Sequence, residues 1–163
     1  MKTTKLILIG LFALYSLNIN AQVIVKDIYP GVYSSMSVYP SLVNANGTLY
    51  FYADDGQNGT ELWKSDGTDA GTVMVKDIVP GSGSGIYSAY APTNVNGTVY
   101  FVASDGINGI ELWKSDGTAA GTVMVKDINP GSSGSMSWGK SPLFTNVNST
   151  LYFRANDGTN GEE

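Results

Sequence analysis

Short runs of alternating apolar and polar residues follow one another along the chain, separated by Gly-, Asn- and Asp-rich segments. We expect strands at residues 42–45, 48–53 and 61–64, and a closing strand in the VMVKDI segment at residues 73–78. Asn46-Gly47 joins the first two runs, and this dipeptide is the strongest short signal for a β-hairpin. Runs this short, rich in β-branched and aromatic residues, predict strands rather than helices.

The whole pattern returns 50 positions later. Residues 61–81 read ELWKSDGTDAGTVMVKDIVPG and residues 111–131 read ELWKSDGTAAGTVMVKDINPG, with two differences. Internal periods of about 20–50 residues are typical of solenoids and propellers. We therefore predict an all-β fold of four-stranded antiparallel blade repeats, about 50 residues each, in an incomplete β-propeller-like array.

The first 21 residues differ in character from the repeats. Two lysines precede the apolar run at residues 6–17, and the small residue Ala21 precedes Gln22. This arrangement predicts a signal peptide at residues 1–21, because about 12 apolar residues are too few to span a bilayer. The rest of the chain is then expected to be secreted or to lie at the cell surface, with no transmembrane span.

Repeats are expected to occupy residues 22–163. Their predicted parts are an orphan closing strand at 23–28, repeat one at 42–78, repeat two at 92–128 and a partial repeat three at 143–163. Glu163 falls where Glu111 stands in the second copy. One alternative is therefore that the chain is the N-terminal fragment of a larger secreted protein, with an enzymatic or adhesive domain downstream.

These residues carry a family resemblance. The chain resembles the bacterial ELWxxDGT repeat family, whose motif stands here at residues 61–68 and 111–118. YFxAxDGxNGxELW segments accompany it at residues 50–63 and 100–113. The resemblance implies exported, propeller-like repeat proteins with no activity that the motif itself defines. Members are often long and can end in a sorting domain for type IX secretion.

Composition narrows the functional classes. The chain has 14 acidic and nine basic residues and a net charge of −5, without a basic cluster, so nucleic acid is not an expected partner. It has no His and no Cys, which excludes the usual catalytic triads and thiol sites. Carboxylate pairs could still act as acid and base. However, the acidic residues recur in each copy, whereas an active site is normally built once, so we predict that the protein is not an enzyme.

A structural role is expected for the repeated motif. Leu112 and Trp113 should point to opposite faces of their strand, and Val99, Phe101 and Ala103 should share one face of the preceding strand. Both faces can be buried if the units stack. The motif residues assigned this role are Glu61, Leu62, Trp63, Asp66, Gly67, Thr68, Glu111, Leu112, Trp113, Asp116, Gly117 and Thr118.

Calcium is the one cofactor that the sequence suggests. Asp105, Asn108 and Glu111 offer oxygen ligands around one turn, with Asp55, Asn58 and Glu61 as counterparts in the first copy. Their spacing does not match an EF-hand loop. An ordinary turn built on Asn and Asp is the alternative.

Partner contacts are expected in the segments after each Pro-Gly pair, where the copies differ most. Aromatic residues on variable loops can contact glycans or proteins. The predicted contact residues are Tyr33, Tyr39, Tyr87, Tyr90 and Trp138. The alternative is that they pack between units. Strand edges left unpaired would also favour self-association.

Overall fold

The computed structural model describes residues 24–36, 41–86, 90–136 and 141–163. Within them the fold is all-β, with three antiparallel sheets of four, four and two strands and no helix. The strands are β1 (Leu42–Ala45), β2 (Thr48–Asp54), β3 (Thr60–Ser65), β4 (Val73–Lys76), β5 (Thr93–Val95), β6 (Thr98–Ser104), β7 (Ile110–Ser115), β8 (Val123–Met124), β9 (Thr145–Val147) and β10 (Thr150–Tyr152). The predicted all-β class and the four-stranded antiparallel sheets are confirmed.

Each four-stranded sheet is a meander in chain order, β1 to β4 in the first unit and β5 to β8 in the second. The β1–β2 hairpin turns at Asn46 and Gly47, with φ angles of 52° and 84°. Two positive φ angles are what a tight hairpin turn needs, which is why Asn-Gly predicts it correctly. Phe51 lies opposite Trp63 in the first sheet, and Phe101 lies opposite Trp113 in the second.

The closing strands are shorter than predicted. β4 pairs with β3 through a register shift between Leu62 and Trp63, and β8 keeps only two residues. A bulge of this kind bends the strand and ends regular pairing. The chain then leaves the sheet edge, and Ile78 packs into the core with 7% of its surface exposed.

The predicted closing strand at residues 23–28 is not found. Residue 23 lies outside the described residues, and residues 24–28 form no strand. In the complete units the closing strand pairs with the third strand of its own unit. Among the described residues, the segment 24–28 pairs with no strand. Ile28 nevertheless packs against Phe51 and Trp63.

Some predicted features fall outside the described residues. These are the signal peptide at residues 1–21 and the segments 37–40, 87–89 and 137–140. Where the structure does describe the chain, none of its segments forms a helix with the length and hydropathy needed to cross a membrane.

The two four-stranded sheets share one core. Tyr50, Tyr52 and Leu62 of the first sheet pack in the same cluster as Val99, Phe101, Ala103 and Trp113 of the second. Phe51, Ala53 and Trp63 lie on the other face of the first sheet, in a second cluster. Neighbouring residues of β2 and of β3 thus face different clusters, as strand alternation predicts. Because both faces of the first sheet are covered, burial of each large apolar side chain such as Leu62 or Phe51 contributes roughly 1.5–3 kcal/mol.

Asparagine side chains connect the first strands of successive units. Asn94 Nδ2 donates to Asn44 O at 2.9 Å, and Asn146 Nδ2 donates to Asn94 O at 3.3 Å. β1, β5 and β9 consequently lie side by side. We call this row the asparagine ladder.

Candidate functional site

The segments after each Pro-Gly pair form the junction between units. We call residues 31–36, 81–86 and 131–136 the first, second and third connectors. In the second connector, Ile86 N donates to Thr60 O of its own unit at 3.1 Å. Ser104 N of the next unit donates to Gly85 O at 2.8 Å. The connector is therefore bonded to two successive sheets.

The other connectors repeat these bonds. Met136 N donates to Ile110 O at 3.1 Å, and Asn156 N donates to Ser135 O at 2.9 Å. In the first connector, Asp54 N donates to Ser35 O at 2.8 Å. The same backbone attachment thus joins each connector to the unit that follows it.

A buried carboxylate lies beneath the second connector. Glu61 is 0% exposed, and its Oε1 atom accepts the Gly85 amide at 2.7 Å. Its Oε2 atom has no hydrogen-bond partner, and neither does the buried Oδ1 atom of Asp77. Burial raises the pKa of Glu61 to about 7, with bonds from backbone amides opposing the rise and the charge of Asp77 adding to it.

Glu111, the equivalent carboxylate of the second unit, accepts more hydrogen bonds than Glu61 does. Glu111 Oε1 accepts Ser135 N at 2.7 Å, and Oε2 accepts the Ser135 hydroxyl at 2.5 Å. Ile128 N adds a longer bond to Oε2 at 3.3 Å. The difference follows from the sequence, because Gly85 occupies the place of Ser135 and brings no hydroxyl.

The three predicted calcium ligands of the second unit belong to two separate hydrogen-bond networks. Asp105 Oδ1 accepts the amides of Ile107 and Asn108 at 2.9 and 2.8 Å, and Oδ2 accepts Asn108 Nδ2 at 2.7 Å. Glu111 instead bonds the third connector. Among the described residues no group of three or more acidic, His or Cys side chains could hold a metal ion. Calcium binding stays a prediction.

Electrostatics at the Asp105 turn agree with this geometry. Desolvation acts to raise the pKa of Asp105, but bonds from the Asn108 and Ile107 amides outweigh it and lower the pKa. Asp55, with Asn58 and Gln57 as donors, has the same arrangement and the same direction of shift. The Asp and Asn side chains of these turns therefore stabilise the turns through hydrogen bonds.

The DGT part of the motif also closes a turn. Asp116 Oδ1 accepts the hydroxyl and the amide of Thr118 at 2.7 and 2.8 Å, and these bonds lower the pKa of Asp116. Gly117 has a φ angle of 89°, which other residues resist. Its carbonyl accepts Lys64 Nζ of the preceding unit at 2.8 Å. The turn thus contributes to the contact between units.

The predicted partner-contact residues differ in how exposed they are and in whether the structure describes them. Tyr33 is 68% exposed, and its ring lies 5.2 Å from that of Tyr29, next to Val32, which is 94% exposed. Tyr90 is half-buried, and its hydroxyl is enclosed without a hydrogen-bond partner. The remaining three, Tyr39, Tyr87 and Trp138, lie outside the described residues.

The sequence alone did not identify the hydrogen-bond partners of the Glu61 and Glu111 carboxylates. Gly85 and Ser135 each lie 24 positions after their glutamate, in segments interpreted only as variable loops. One signal was present. An acidic residue that recurs inside a strand of buried residues needs a partner, because an unpaired buried charge is costly.

Comparison with models of protein families, with curated proteins and with solved structures finds no match to this chain.

Proposed function

We propose that the chain is an exported, non-enzymatic repeat module that binds or scaffolds a protein or glycan partner at or outside the cell surface. The observation that carries this proposal is the double attachment of the connectors. Gly85 accepts a bond from Ser104 and donates one to Glu61, so the recurring polar groups hold one unit to the next. A regular frame with variable side chains on its connectors suits a binding module.

Hydrogen bonds from two lysines support the proposal that the units are blades of one array. Lys64 Nζ donates to Gly117 O, and Lys76 Nζ donates to Thr122 O at 2.9 Å, both across the junction between units. Lys76 also lies 5.9 Å from the ring centroid of Trp113. These contacts all join the first unit to the second, and we propose that the units stack as neighbouring blades of one array.

The chemistry of the acidic groups favours binding over catalysis. Asp105, Asp116 and Glu111 all accept bonds from nearby amides or hydroxyls of the chain itself. A general base or nucleophile must instead reach a substrate in a cleft. The recurring carboxylates therefore support a scaffold.

The first connector offers the contact surface. Tyr29, Val32 and Tyr33 form an apolar patch with two neighbouring rings, and Val32 and Tyr33 are largely exposed. An exposed ring can stack on the apolar face of a sugar or on an apolar side chain, at low cost in side-chain entropy. We assign partner contact to this patch.

Retention of the purified chain on a panel of immobilised polysaccharides and bacterial cell-surface proteins tests the binding function. Tyr33→Ala should abolish retention on any surface that holds the wild type. Ile107→Ala is the matched control, since Ile107 is 74% exposed but belongs to the turn at residues 105–109 of the second unit and not to the first connector. Unchanged retention of a folded Tyr33→Ala chain would remove the first connector as the contact surface.

Export is tested separately. A reporter fused behind the chain should leave the cytoplasm, and the exported product should begin at Gln22. A reporter that stays in the cytoplasm with residues 1–21 attached would overturn the export part of the proposal.

A further inference from the structure

Two aromatic rings are layered on the turn at residues 55–59 of the first unit. An added Cβ atom on Gly56 would lie 2.6 Å from the Tyr29 ring, so this ring rests directly on the turn. The Tyr33 ring follows it, with 5.2 Å between ring centroids and an interplanar angle of 37°. Tyr33 is 68% exposed. The turn therefore supports Tyr29, Tyr29 supports Tyr33, and the Tyr33 ring is open to solvent.

Exposure of this connector does not depend on the position of the first unit in the chain. Val32 is 94% exposed, and the equivalent residues of the second and third connectors, Ser82 and Ser132, are exposed too. The second connector lies between two four-stranded sheets and is bonded to both. The start of a connector thus faces solvent even at an internal junction.

The first unit differs from the others in the chemistry of these positions. Tyr29 and Tyr33 have Val79 and Gly83 as their counterparts in the second unit, and the third unit has no aromatic residue at either position. The second and third connectors nevertheless make the same backbone attachments as the first. The repeated frame therefore does not require the two rings.

An acidic residue accompanies the rings in the same unit. Asp54 Oδ1 accepts the Gly56 amide at 2.6 Å. In the second unit Ser104 Oγ accepts the equivalent Gly106 amide at 3.1 Å, and in the third unit Asn156 Oδ1 makes this bond at 2.7 Å. A neutral side chain thus closes the same turn, so the turn does not require the negative charge of Asp54.

Neighbouring charges are negative as well. Asp27 is exposed just before the first connector, and Asp55 adjoins Asp54. Lys26 is the basic residue closest to the rings along the chain, and it pairs with Asp69 at 3.8 Å. Negative charge therefore predominates among the described residues that flank the rings. Such surroundings attract a cation and repel an anion.

We propose that the first connector binds a basic segment of a protein partner, with an arginine guanidinium stacked on Tyr33 and attracted by the charge of Asp54. A guanidinium stacks on aromatic faces and also pairs with carboxylates. Its methylene stem can lie along the exposed Val32. A neutral glycan would use the rings but not the charge. This assignment rests on the binding function proposed above and names its partner.

Fluorescence anisotropy of a labelled oligo-arginine peptide, titrated with the purified chain at low and at high salt, tests the proposal. Tyr33→Ala removes the outer ring, and Gly56→Ala displaces Tyr29 through the added Cβ atom. Gly106→Ala is the matched control for the second change. Gly56 and Gly106 have φ angles of 81° and 79°, but an added Cβ atom on Gly106 has no neighbour within 4 Å. Circular dichroism reports the folding of each variant.

A second pair of variants tests the charge. Asp54→Asn keeps an acceptor for the Gly56 amide, as Asn156 does in the third unit. Glu163→Gln is its control, because it removes an equal charge from an exposed residue of the third unit. An oligo-glutamate peptide and a neutral oligosaccharide of glucose serve as comparison probes.

The wild type, Gly106→Ala and Glu163→Gln should bind the oligo-arginine peptide alike, with an affinity that falls as salt rises. Tyr33→Ala and Gly56→Ala should each weaken binding by about threefold to tenfold, the range for a stacked cation. Asp54→Asn should weaken it by about twofold to fivefold at low salt. The oligo-glutamate peptide and the oligosaccharide should bind more weakly than oligo-arginine to every variant.

A wild type that does not bind oligo-arginine would overturn the proposal. It would also be overturned by folded Tyr33→Ala or Gly56→Ala chains that bind as tightly as Gly106→Ala, or by an effect of Asp54→Asn no larger than that of Glu163→Gln. Tighter binding of the oligosaccharide, abolished by Tyr33→Ala, would assign the rings to a glycan and leave the binding function standing. Failure to bind any probe or any surface of the retention panel would overturn that function as well.

Discussion

Glu61 and Gly85 are joined by a hydrogen bond of 2.7 Å, from the glycine amide to a carboxylate with no exposed surface. Their counterparts Glu111 and Ser135 keep this bond and add a second from the serine hydroxyl. The chain thus contains the same junction twice, once with a fully bonded carboxylate and once with an oxygen that has no partner. This natural comparison allows the role of the repeated glutamate to be measured within one molecule.

Replacing each glutamate by glutamine should affect the two units differently. Glu111→Gln should lower the free energy of unfolding by about 1–3 kcal/mol, because an amide NH2 group must then face donors from Ile128 and Ser135. Glu61→Gln should cost less than Glu111→Gln, since Glu61 Oε2 accepts no bond comparable to the one that Ser135 donates to Glu111, and its NH2 group would lie near Asp77. Urea unfolding followed by fluorescence measures both. Equal losses would contradict the assigned difference between the junctions.

Stability should fall as pH rises through the weakly acidic range. The pKa of Glu61 is 4.5 in the unfolded chain and about 7 in the folded one, so the folded state holds the extra proton between these values. The free energy of unfolding should therefore decrease from about pH 4.5 to about pH 7, by about 1–3 kcal/mol. Glu61→Gln should lack this component. A wild-type profile parallel to that of Glu61→Gln would show that Glu61 titrates normally.

Two glycines in one turn should respond differently to alanine. Gly106 and Gly109 have φ angles of 79° and 72°, so both substitutions carry a backbone cost of roughly 1–2 kcal/mol. Gly106 has open space around it, whereas an added Cβ atom on Gly109 would collide with the backbone of Gly134 and Ser132. Gly109→Ala should therefore cost about 1–3 kcal/mol more than Gly106→Ala in chemical denaturation. Equal losses of stability in the two variants would show that the backbone of the third connector does not lie against Gly109.

Calcium should leave the stability of the fold unchanged. Asp105 already accepts three bonds from Ile107 and Asn108, and Glu111 bonds Ser135. Thermal unfolding with millimolar calcium and with a chelator should therefore give the same midpoint. A calcium-dependent rise that Asp105→Asn abolishes would instead support the site predicted from the sequence.

Much of each unit was predictable because its signals are local. Alternation predicted β1 at the bounds found, and Asn46-Gly47 predicted the hairpin through the positive φ angles that this pair accepts. The placement of Val99, Phe101 and Ala103 in one cluster also followed from strand alternation. The strand expected at residues 23–28 is not formed by residues 24–28, although their sequence matches β4, because pairing is set by tertiary contacts as well as by the sequence of the segment.

The site was less predictable because its contacts are long-range. Glu111 looked like a calcium ligand beside Asp105, but it bonds Ser135, 24 positions later. Nothing local in the serine-rich third connector marks it as the partner of a buried carboxylate. Similarly, residue type alone does not separate Tyr33, which is 68% exposed, from Tyr90, whose hydroxyl is enclosed.

Amide hydrogen exchange at Ile86 and Ser104 tests most directly the claim that connectors lock successive sheets together. Ile86 N donates to Thr60 O, and Ser104 N donates to Gly85 O of the second connector. Both amides should exchange as slowly as those at the centre of β6, while the amide of the exposed Ser82 should exchange rapidly. Rapid exchange at Ile86 and Ser104, with β6 still protected, would show that the units fold without this junction and would contradict the account.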